Sequence, residues 1–379
     1  MRIAIVNEWS ATIGGAETYI KQVGACLEKK GNTVGFFAHR DIEFREQPAI
    51  IESIKRFAPC VVYSQGLQNP LLELEIANRW PTVGFNHNYA GACISGNKWH
   101  RFPGTSVCDK AFDASCLVQY LPRRCGGLNL LTAWRAYRRE RMRQTAFKAM
   151  RAVCVASRHM RAVMAQNGFS DEKLHLLPLF PPHQEPDFEQ PKPRALTGII
   201  LLAGRLTVLK GYTHLIPAIA IASRELARPL LLAVAGDGPD REKLLALAAR
   251  YQVPVEWHGW LTPEEVIAKM RQADLLAVPS LWPEPFGLVG IEAGCVGTPA
   301  VAYAVGGIPD WLIPGVSGEM APGDNLHPAP LADAIVRALR DSVHWQSLRE
   351  RAWEIARKFS RTSHLDKLIS VFNDVSKKN

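Results

Sequence analysis

The stretch GIILLAGRLTVLKG, residues 198–211, indicates how the second half of the chain is built. It begins with a short apolar run, which is typical of a strand covered on both faces, and continues into a loop that contains glycine. A helical pattern follows over 211–226. An apolar strand, a glycine loop and a helix make one repeat of a parallel α/β sheet.

The same rhythm recurs on both sides of this stretch. Further strands are predicted at 229–236, 253–259, 273–280 and 298–304, and an earlier series at 2–7, 32–38, 60–64, 81–85 and 152–157. The two series are separated by residues 177–194, which hold six prolines and are predicted to be a linker. We therefore predict an α/β fold with two Rossmann-like domains whose parallel sheets face a central cleft, with ligands beyond the carboxyl ends of the strands.

Composition and the first residues predict a soluble globular protein. The apolar fraction is 47% and the charged fraction 21%. The first residues, MRIAIVNEW, lack a basic leader followed by a long apolar block, since Glu8 interrupts them. We expect no signal peptide and no membrane span, and hence a cytoplasmic protein whose cysteines are mostly thiols.

Four of the eight cysteines, Cys93, Cys108, Cys116 and Cys125, fall in one irregular segment. Their spacing matches no recognised zinc pattern, so structural thiols are the prediction and a metal site is the open alternative.

Positive charge is concentrated between Arg123 and Arg151, where nine Lys and Arg residues accompany a single acid, Glu140. Apolar residues run through the stretch 123–151 at near-helical spacing. A surface helix with a solvated basic face is one reading, and contact with an anionic membrane or acceptor is the other. No motif for nucleic-acid recognition accompanies it, so we predict no nucleic-acid partner.

Glycine turns follow two of the predicted strands. Gly14 and Gly15 open the helix after the first strand, and Gly236 ends the strand at 229–236 and lies in the turn AGDGPD, residues 235–240. Glycines let a ligand approach the backbone, and a helix N-terminus favours anions. The pattern is not GxGxxG, which disfavours a dinucleotide dehydrogenase.

Two cations flank the loop after the strand at 198–204. Gly204 opens this loop, and Arg205 and Lys210 lie on either side of its centre. A bidentate guanidinium and a point-charge ammonium at the end of a strand suit a pyrophosphate. Two solvated surface cations would be the simpler reading.

The stretch PEPFGLVGIEAGCVGTP, residues 283–299, places two acids in apolar surroundings. Its prolines disfavour helix through Glu284, so a helix is predicted to begin near Phe286–Leu288 and to hold Glu292 in its second turn. Amides at Phe286, Gly287 and Leu288 would then be free for a ligand oxygen. Two carboxylates beside free amides suit a polyhydroxylated ligand, although a helix cap and a satisfied core acid would also explain them.

His87 follows the fourth strand of the first series. A histidine at that edge can donate to a substrate hydroxyl or phosphate, although a lone histidine is more often structural.

Taken together, these motifs resemble the retaining glycosyltransferases of family four, which have the GT-B fold. Glu284 and Glu292, separated by seven residues, match the family signature, and GGAE, GRLTVLKG and AGDGP stand in the expected order. The resemblance implies an acceptor-binding domain at 1–180, to which a last helix at 360–379 returns, and a donor-binding domain at 181–359.

The resemblance also implies residue roles. Glu284 would hold hydroxyls of the donor sugar, and Glu292 would hold the ribose of the nucleotide. The amides at 286–288, with Gly204 and Gly236, would lie against the sugar and phosphates. Arg205 and Lys210 would bind the diphosphate and stabilise its departure.

On the side of the first domain, the resemblance has Gly14 and Gly15 close against the phosphates and His87 stand near the sugar on the acceptor side. It implies transfer with retention from a UDP- or GDP-sugar to a glycan or lipid-linked acceptor, without metal or cofactor. A non-catalytic nucleotide-sugar subunit and an epimerase of the same architecture remain alternatives. The cysteine-bearing insert at 93–125 departs from the pattern.

Overall fold

The computed structural model describes residues 1–8, 15–39, 47–127, 129–183 and 190–377. These residues divide into two compact units. The first comprises Met1–Gly104, Cys108–Pro178 and Thr362–Asn379, and the second comprises Thr105–Val107 and Leu179–Arg361. The predicted domain limits, 1–180 and 181–359 with a returning helix at 360–379, stay a prediction. Part of the predicted linker at 177–194 lies outside the described residues.

The first unit is a parallel sheet with helices between its strands. Its strands are β1 (Arg2–Asn7), β2 (Thr33–Ala38), β3 (Val61–Ser64), β4 (Thr82–Asn86), β7 (Ala152–Val155) and β8 (Leu174–Leu176). Of the two short strands in the insert, β5 (Trp99–His100) also belongs to the first unit, whereas β6 (Ser106–Val107) falls among the residues of the second. The helices of the first unit are α1 (Gly15–Lys29), α2 (Gln47–Phe57), α3 (Pro70–Arg79), α4 (Ser115–Tyr120), α5 (Leu130–Ala149), α6 (Arg158–Gln166) and α13 (Arg361–Lys377). The six sheet strands are ordered β2-β1-β3-β4-β7-β8.

Apolar runs in the first unit become its core. The central residues of β1 and all four of β3 are buried. Helix α13 packs on the same sheet, since Leu368 and Phe372 are buried and the Phe372 ring lies 5.2 Å from the ring of Tyr63 in β3. Arg151 Nη1 also donates to the carbonyl of Val375 at 2.8 Å. The last helix of the chain is therefore part of the first unit.

The second unit repeats this plan. Its strands are β9 (Ile199–Ala203), β10 (Leu231–Ala235), β11 (Val255–Gly259), β12 (Leu275–Val278), β13 (Ala300–Tyr303) and β14 (Gly318–Ala321). Its helices are α7 (Tyr212–Glu225), α8 (Arg241–Tyr251), α9 (Pro263–Gln272), α10 (Leu288–Cys295), α11 (Pro328–Leu339) and α12 (Ser342–Ala356). The strands are ordered β11-β10-β9-β12-β13-β14, and the paired strands run parallel.

A buried acid fixes the amino-terminal edge of the second sheet. Asp274, fully buried before β12, accepts hydrogen bonds from Arg194 Nη1 at 2.8 Å and from the amide of Gly198 at 2.6 Å. Its charge is thus paired and bonded, as a buried carboxylate requires. These bonds hold the chain that enters β9 beside the start of β12. The carboxyl ends of these two strands are therefore also held side by side.

The predicted fold class is confirmed: both units are α/β with six-stranded parallel sheets. None of the helices within the described ranges has both the length and the apolar character needed to cross a bilayer.

Candidate functional site

The order of strands in the second unit identifies where its loops meet. The chain runs outward from β9 through β10 to β11, then returns to place β12 on the other side of β9. Adjacent loops diverge at such a switch point, and ligands of open α/β sheets bind there, beyond the carboxyl ends of the strands. The loops concerned are 204–211 after β9 and 279–287 after β12.

Glu284 joins these two loops. Its Oε1 accepts hydrogen bonds from Lys210 Nζ at 2.8 Å, Ser280 Oγ at 2.6 Å and Trp282 Nε1 at 3.1 Å. The Glu284 side chain is 7% exposed and that of Lys210 33%. All three bonds end on one oxygen, so among the described residues Oε2 accepts none and stays available to a ligand.

The surroundings of Glu284 keep it ionised. Burial works to raise the pKa of Glu284, but the Lys210 ammonium and the hydrogen bonds from Lys210, Ser280 and Trp282 outweigh burial and hold the pKa below its usual value. A carboxylate with a lowered pKa is a weak base and a good hydrogen-bond acceptor. Glu284 is therefore suited to holding hydroxyl groups.

Arg205 and the neighbouring glycine turn form the second part of the site. The Arg205 side chain is exposed and makes no ion pair with any residue the structure describes. Gly236, at φ +145°, stands so close to the preceding loop that a Cβ there would lie 2.1 Å from the carbonyl oxygen of Gly204. Glycine at 236 therefore lets the loops after β9 and β10 touch. A free cation lies beside bare backbone.

Free amides complete the site. Helix α10 begins at Leu288, and its N-cap Gly287 has a left-handed conformation with φ +80°. Within the described chain, the amides of Phe286, Gly287 and Leu288 donate no hydrogen bond. These first-turn donors carry the positive end of the helix dipole. The predicted start of this helix, near 286–288, is confirmed.

Glu292 lies in the second turn of α10 and differs from Glu284 in its electrostatics. Burial raises the pKa of Glu292 to about 7. Its charge therefore changes near neutral pH, whereas Glu284 stays ionised.

His87 and its partner lie at the carboxyl edge of the sheet in the first unit. His87 Nε2 lies 2.9 Å from Gln65 Oε1, and its ring packs on Phe85 and Tyr19 with centroids at 4.6 Å and 5.7 Å. Burial lowers the pKa of His87 to about 4, so the imidazole is neutral at pH 7. With Gln65 Oε1 as acceptor, Nε2 carries the proton and Nδ1 is an acceptor.

The two glycines predicted to open the helix after the first strand have different outcomes. Gly15 is the first residue of α1, whereas Gly14 lies outside the described residues.

The four cysteines of the insert are all free thiols. Burial raises the pKa of Cys125 to about 12, and electrostatic interactions with Cys93, Cys108 and Cys116 add to this effect. Across the described ranges, no group of three or more His, Cys, Asp or Glu side chains is arranged to hold a metal ion.

Sequence reasoning missed the partners of the predicted residues. Ser280 and Trp282 bind Glu284, and Gln65 binds His87. Gln65 had a usable signal, since it directly follows β3 as His87 directly follows β4, and these neighbouring strands are parallel. Nothing local marks Ser280 or Trp282.

Comparison with known proteins relates this chain to one family of enzymes over its second unit. Residues 184–359 match the family model described as glycosyl transferases group 1. D-inositol 3-phosphate glycosyltransferase from Corynebacterium glutamicum strain R is 34% identical over 185 residues, which cover 47% of this chain and 44% of that protein. Glycogen synthase from Mycobacterium tuberculosis is 34% identical over 168 residues, covering 44% and 39% respectively. The matches thus span less than half the length of these curated relatives.

Solved structures resemble the whole chain. HepE from Anabaena, in complex with UDP and glucose, has a TM-score of 0.68 at 18% identity and covers 99% of this chain and 100% of its own. Sucrose-phosphate synthase from Thermosynechococcus elongatus has a TM-score of 0.70 at 20% identity, with 100% of both chains covered. At these identities the likeness concerns the fold, which is the GT-B fold implied by the resemblance.

Proposed function

We propose that this chain, whose residues 184–359 match the glycosyl transferases group 1, is a glycosyltransferase that uses a UDP- or GDP-sugar. The acceptor would be a glycan, a lipid-linked glycan or a related glycoconjugate. The observation that supports this proposal most strongly is the cluster of groups at the switch point of the second unit. Glu284 is ionised and accepts three hydrogen bonds, Lys210 and Arg205 supply positive charge, and the amides at 286–288 are free. UDP in the HepE complex supports a nucleotide diphosphate as the donor's carrier.

The diphosphate is assigned to the cations and amides. Arg205, exposed at the end of β9, offers a planar fork to phosphate oxygens, and Lys210 offers a compact charge. Both would stabilise the negative charge that develops as the nucleoside diphosphate leaves. With these two cations in that role, transfer would need no metal ion and no cofactor beyond the donor.

The sugar and ribose are assigned to the two carboxylates. Glu284 Oε2 is free to accept sugar hydroxyls while Oε1 stays tied to Lys210, Ser280 and Trp282. Because its pKa is lowered, Glu284 would position the sugar and would not act as a general base. Glu292, on α10, would accept the ribose hydroxyls when it is ionised.

The acceptor is assigned to the first unit. Neutral His87, oriented by Gln65, would meet a hydroxyl near the reacting carbon, and Gly14 and Gly15 would meet the phosphates. Transfer would proceed with retention at the anomeric carbon by a front-face route, and the enzyme would work in the cytoplasm. These assignments rest on the motif resemblance.

Release of free UDP or GDP from a panel of nucleotide sugars, with an acceptor extract, tests the proposal. We expect one donor class to turn over with chelator present and NMR of the product to give the donor's anomeric configuration. Nucleotide binding without turnover of any donor would instead indicate a non-catalytic subunit. Interconversion of the donor sugar without acceptor would indicate an epimerase.

A further inference from the structure

A groove of ≈ 390 Å³ lies on the first unit, and neither Gln65 nor His87 is among the residues that line it. It is formed where the start of α3 meets one face of α5. Six of its lining side chains are Leu71, Trp134, Met142, Arg135, Arg138 and Arg139. We refer to this groove as the α3–α5 groove.

The apolar side of the α3–α5 groove is exposed. Leu71 is 53% exposed and Trp134 50%. Leu130 and Leu131 begin the same helix at 71% and 52% exposure. Residues 131, 134, 138 and 142 follow helical spacing, so Leu131, Trp134 and Met142 lie on one face of α5, with Arg138 between Trp134 and Met142. Such a run of large apolar side chains marks an interaction surface.

The cationic side is unneutralised. Arg135 and Arg138 make no ion pair with any residue the structure describes, and the Arg138 guanidinium lies 5.5 Å from the centre of the Trp134 ring. Arg139 lies 3.2 Å from Glu140, but that acid is only 2% exposed and also binds Arg143. The groove therefore presents free arginines beside apolar side chains.

We propose that the α3–α5 groove docks the protein on an anionic phospholipid surface. Phosphates at the headgroup level would match Arg135 and Arg138, and the acyl boundary below them would match Leu131 and Trp134. A nucleic acid or a soluble anion would match the arginines but leave Leu71 and Leu131 exposed to water. The inference concerns location and does not depend on glycosyl transfer.

Flotation of the full chain with vesicles tests this inference without any donor. We expect binding to phosphatidylcholine vesicles that contain phosphatidylglycerol, weak binding to phosphatidylcholine alone, and release at high salt, because exposed charges are screened. Each arginine near an anionic surface contributes roughly fivefold, so R135A/R138A should weaken partitioning about 25-fold. R135K/R138K should retain most of it, and W134A should weaken it without removing its salt dependence.

A matched control removes two exposed arginines elsewhere, Arg56 on α2 and Arg271 on α9. R56A/R271A should bind as the wild type does. Equal binding to both vesicle types, or no loss with R135A/R138A, would overturn the inference. The inference would also be overturned if the protein formed a salt-insensitive dimer in solution without vesicles and W134A dissociated that dimer. The groove would then accept a second copy of this chain. Vesicle binding is read without catalysis, so a failed transfer assay leaves this result unaffected.

Discussion

Replacement of Glu284 by glutamine tests whether Glu284 holds the sugar and not the nucleotide. Glu284→Gln keeps the shape of the side chain and an acceptor oxygen for Ser280 and Trp282, but it removes the charge paired with Lys210 at 2.8 Å. Hydrogen bonds to charged groups contribute about 1.5–3 kcal/mol, and neutral ones about 1 kcal/mol. Since Lys210 is one third exposed, we expect a loss of roughly 1–2 kcal/mol in the free energy of unfolding.

The effect on function should be larger and selective. Losing a charge-assisted hydrogen bond to a sugar hydroxyl corresponds to roughly 10- to 150-fold in kcat/KM, at 1.4 kcal/mol for each factor of ten. Binding of the free nucleoside diphosphate should change by less than about threefold or should tighten, because the Lys210 ammonium is released from its partner. The assays are diphosphate release, calorimetric titration with UDP and GDP, and denaturant unfolding.

The exposed first-turn acid of α9 supplies the control, since Glu264→Gln makes the same chemical change on the surface of the same unit. It should leave diphosphate release and diphosphate affinity unaltered and should lower the free energy of unfolding by less than about 1 kcal/mol, the contribution of an acid in the first turn of a helix. Equal losses of diphosphate affinity and of kcat/KM in Glu284→Gln would show that Glu284 serves the nucleotide and not the sugar.

Three further predictions concern the same unit. The nucleotide affinity of the wild type should rise as the pH is raised through about 7, because Glu292, whose pKa is raised, becomes a carboxylate there. Glu292→Gln should lack this part of the rise. Calorimetry that shows the same dependence of affinity on pH in both proteins would contradict the prediction. Arg205→Ala should change unfolding free energy by less than about 0.5 kcal/mol yet lower diphosphate affinity roughly tenfold. Gly306→Ala should lose both stability and transfer, since its Cβ would lie 2.2 Å from the Glu284 carbonyl oxygen. The control Gly315→Ala is also at positive φ but lies in open space, so it should lower the free energy of unfolding in denaturant by only about 1 kcal/mol and keep transfer.

Strands buried on both faces could be predicted from the sequence because their signal is local. The run at 198–204 contains β9, and the run at 229–236 contains β10. The edge strands β8 and β14 were missed because a histidine interrupts the first and a glutamate the second, so neither is a continuous apolar run. In β14, Glu319 is 4% exposed and accepts a hydrogen bond from Arg337, eighteen residues later on α11, which no local pattern reveals.

The candidate site shows the same limit. The loop that holds Glu284 and the helix that begins at Leu288 follow from proline and glycine placement. The ion pair between Glu284 and Lys210 spans 74 residues and exists because β12 returns to the side of β9. That return is a property of the topology, and the sequence around either residue is compatible with other strand orders. For the same reason the insert at 93–125 could be delimited but its packing could not.

Calorimetric titration of UDP and of GDP into the wild type and into Lys210→Met shows whether the loops at the switch point of the second unit bind a nucleoside diphosphate. We expect one of the two diphosphates to bind the wild type and the variant, which keeps an unbranched apolar side chain but loses its charge, to bind at least about tenfold more weakly. Equal binding by the two proteins, or no binding of either diphosphate to the wild type, would contradict a nucleotide-sugar site at the switch point of the second unit.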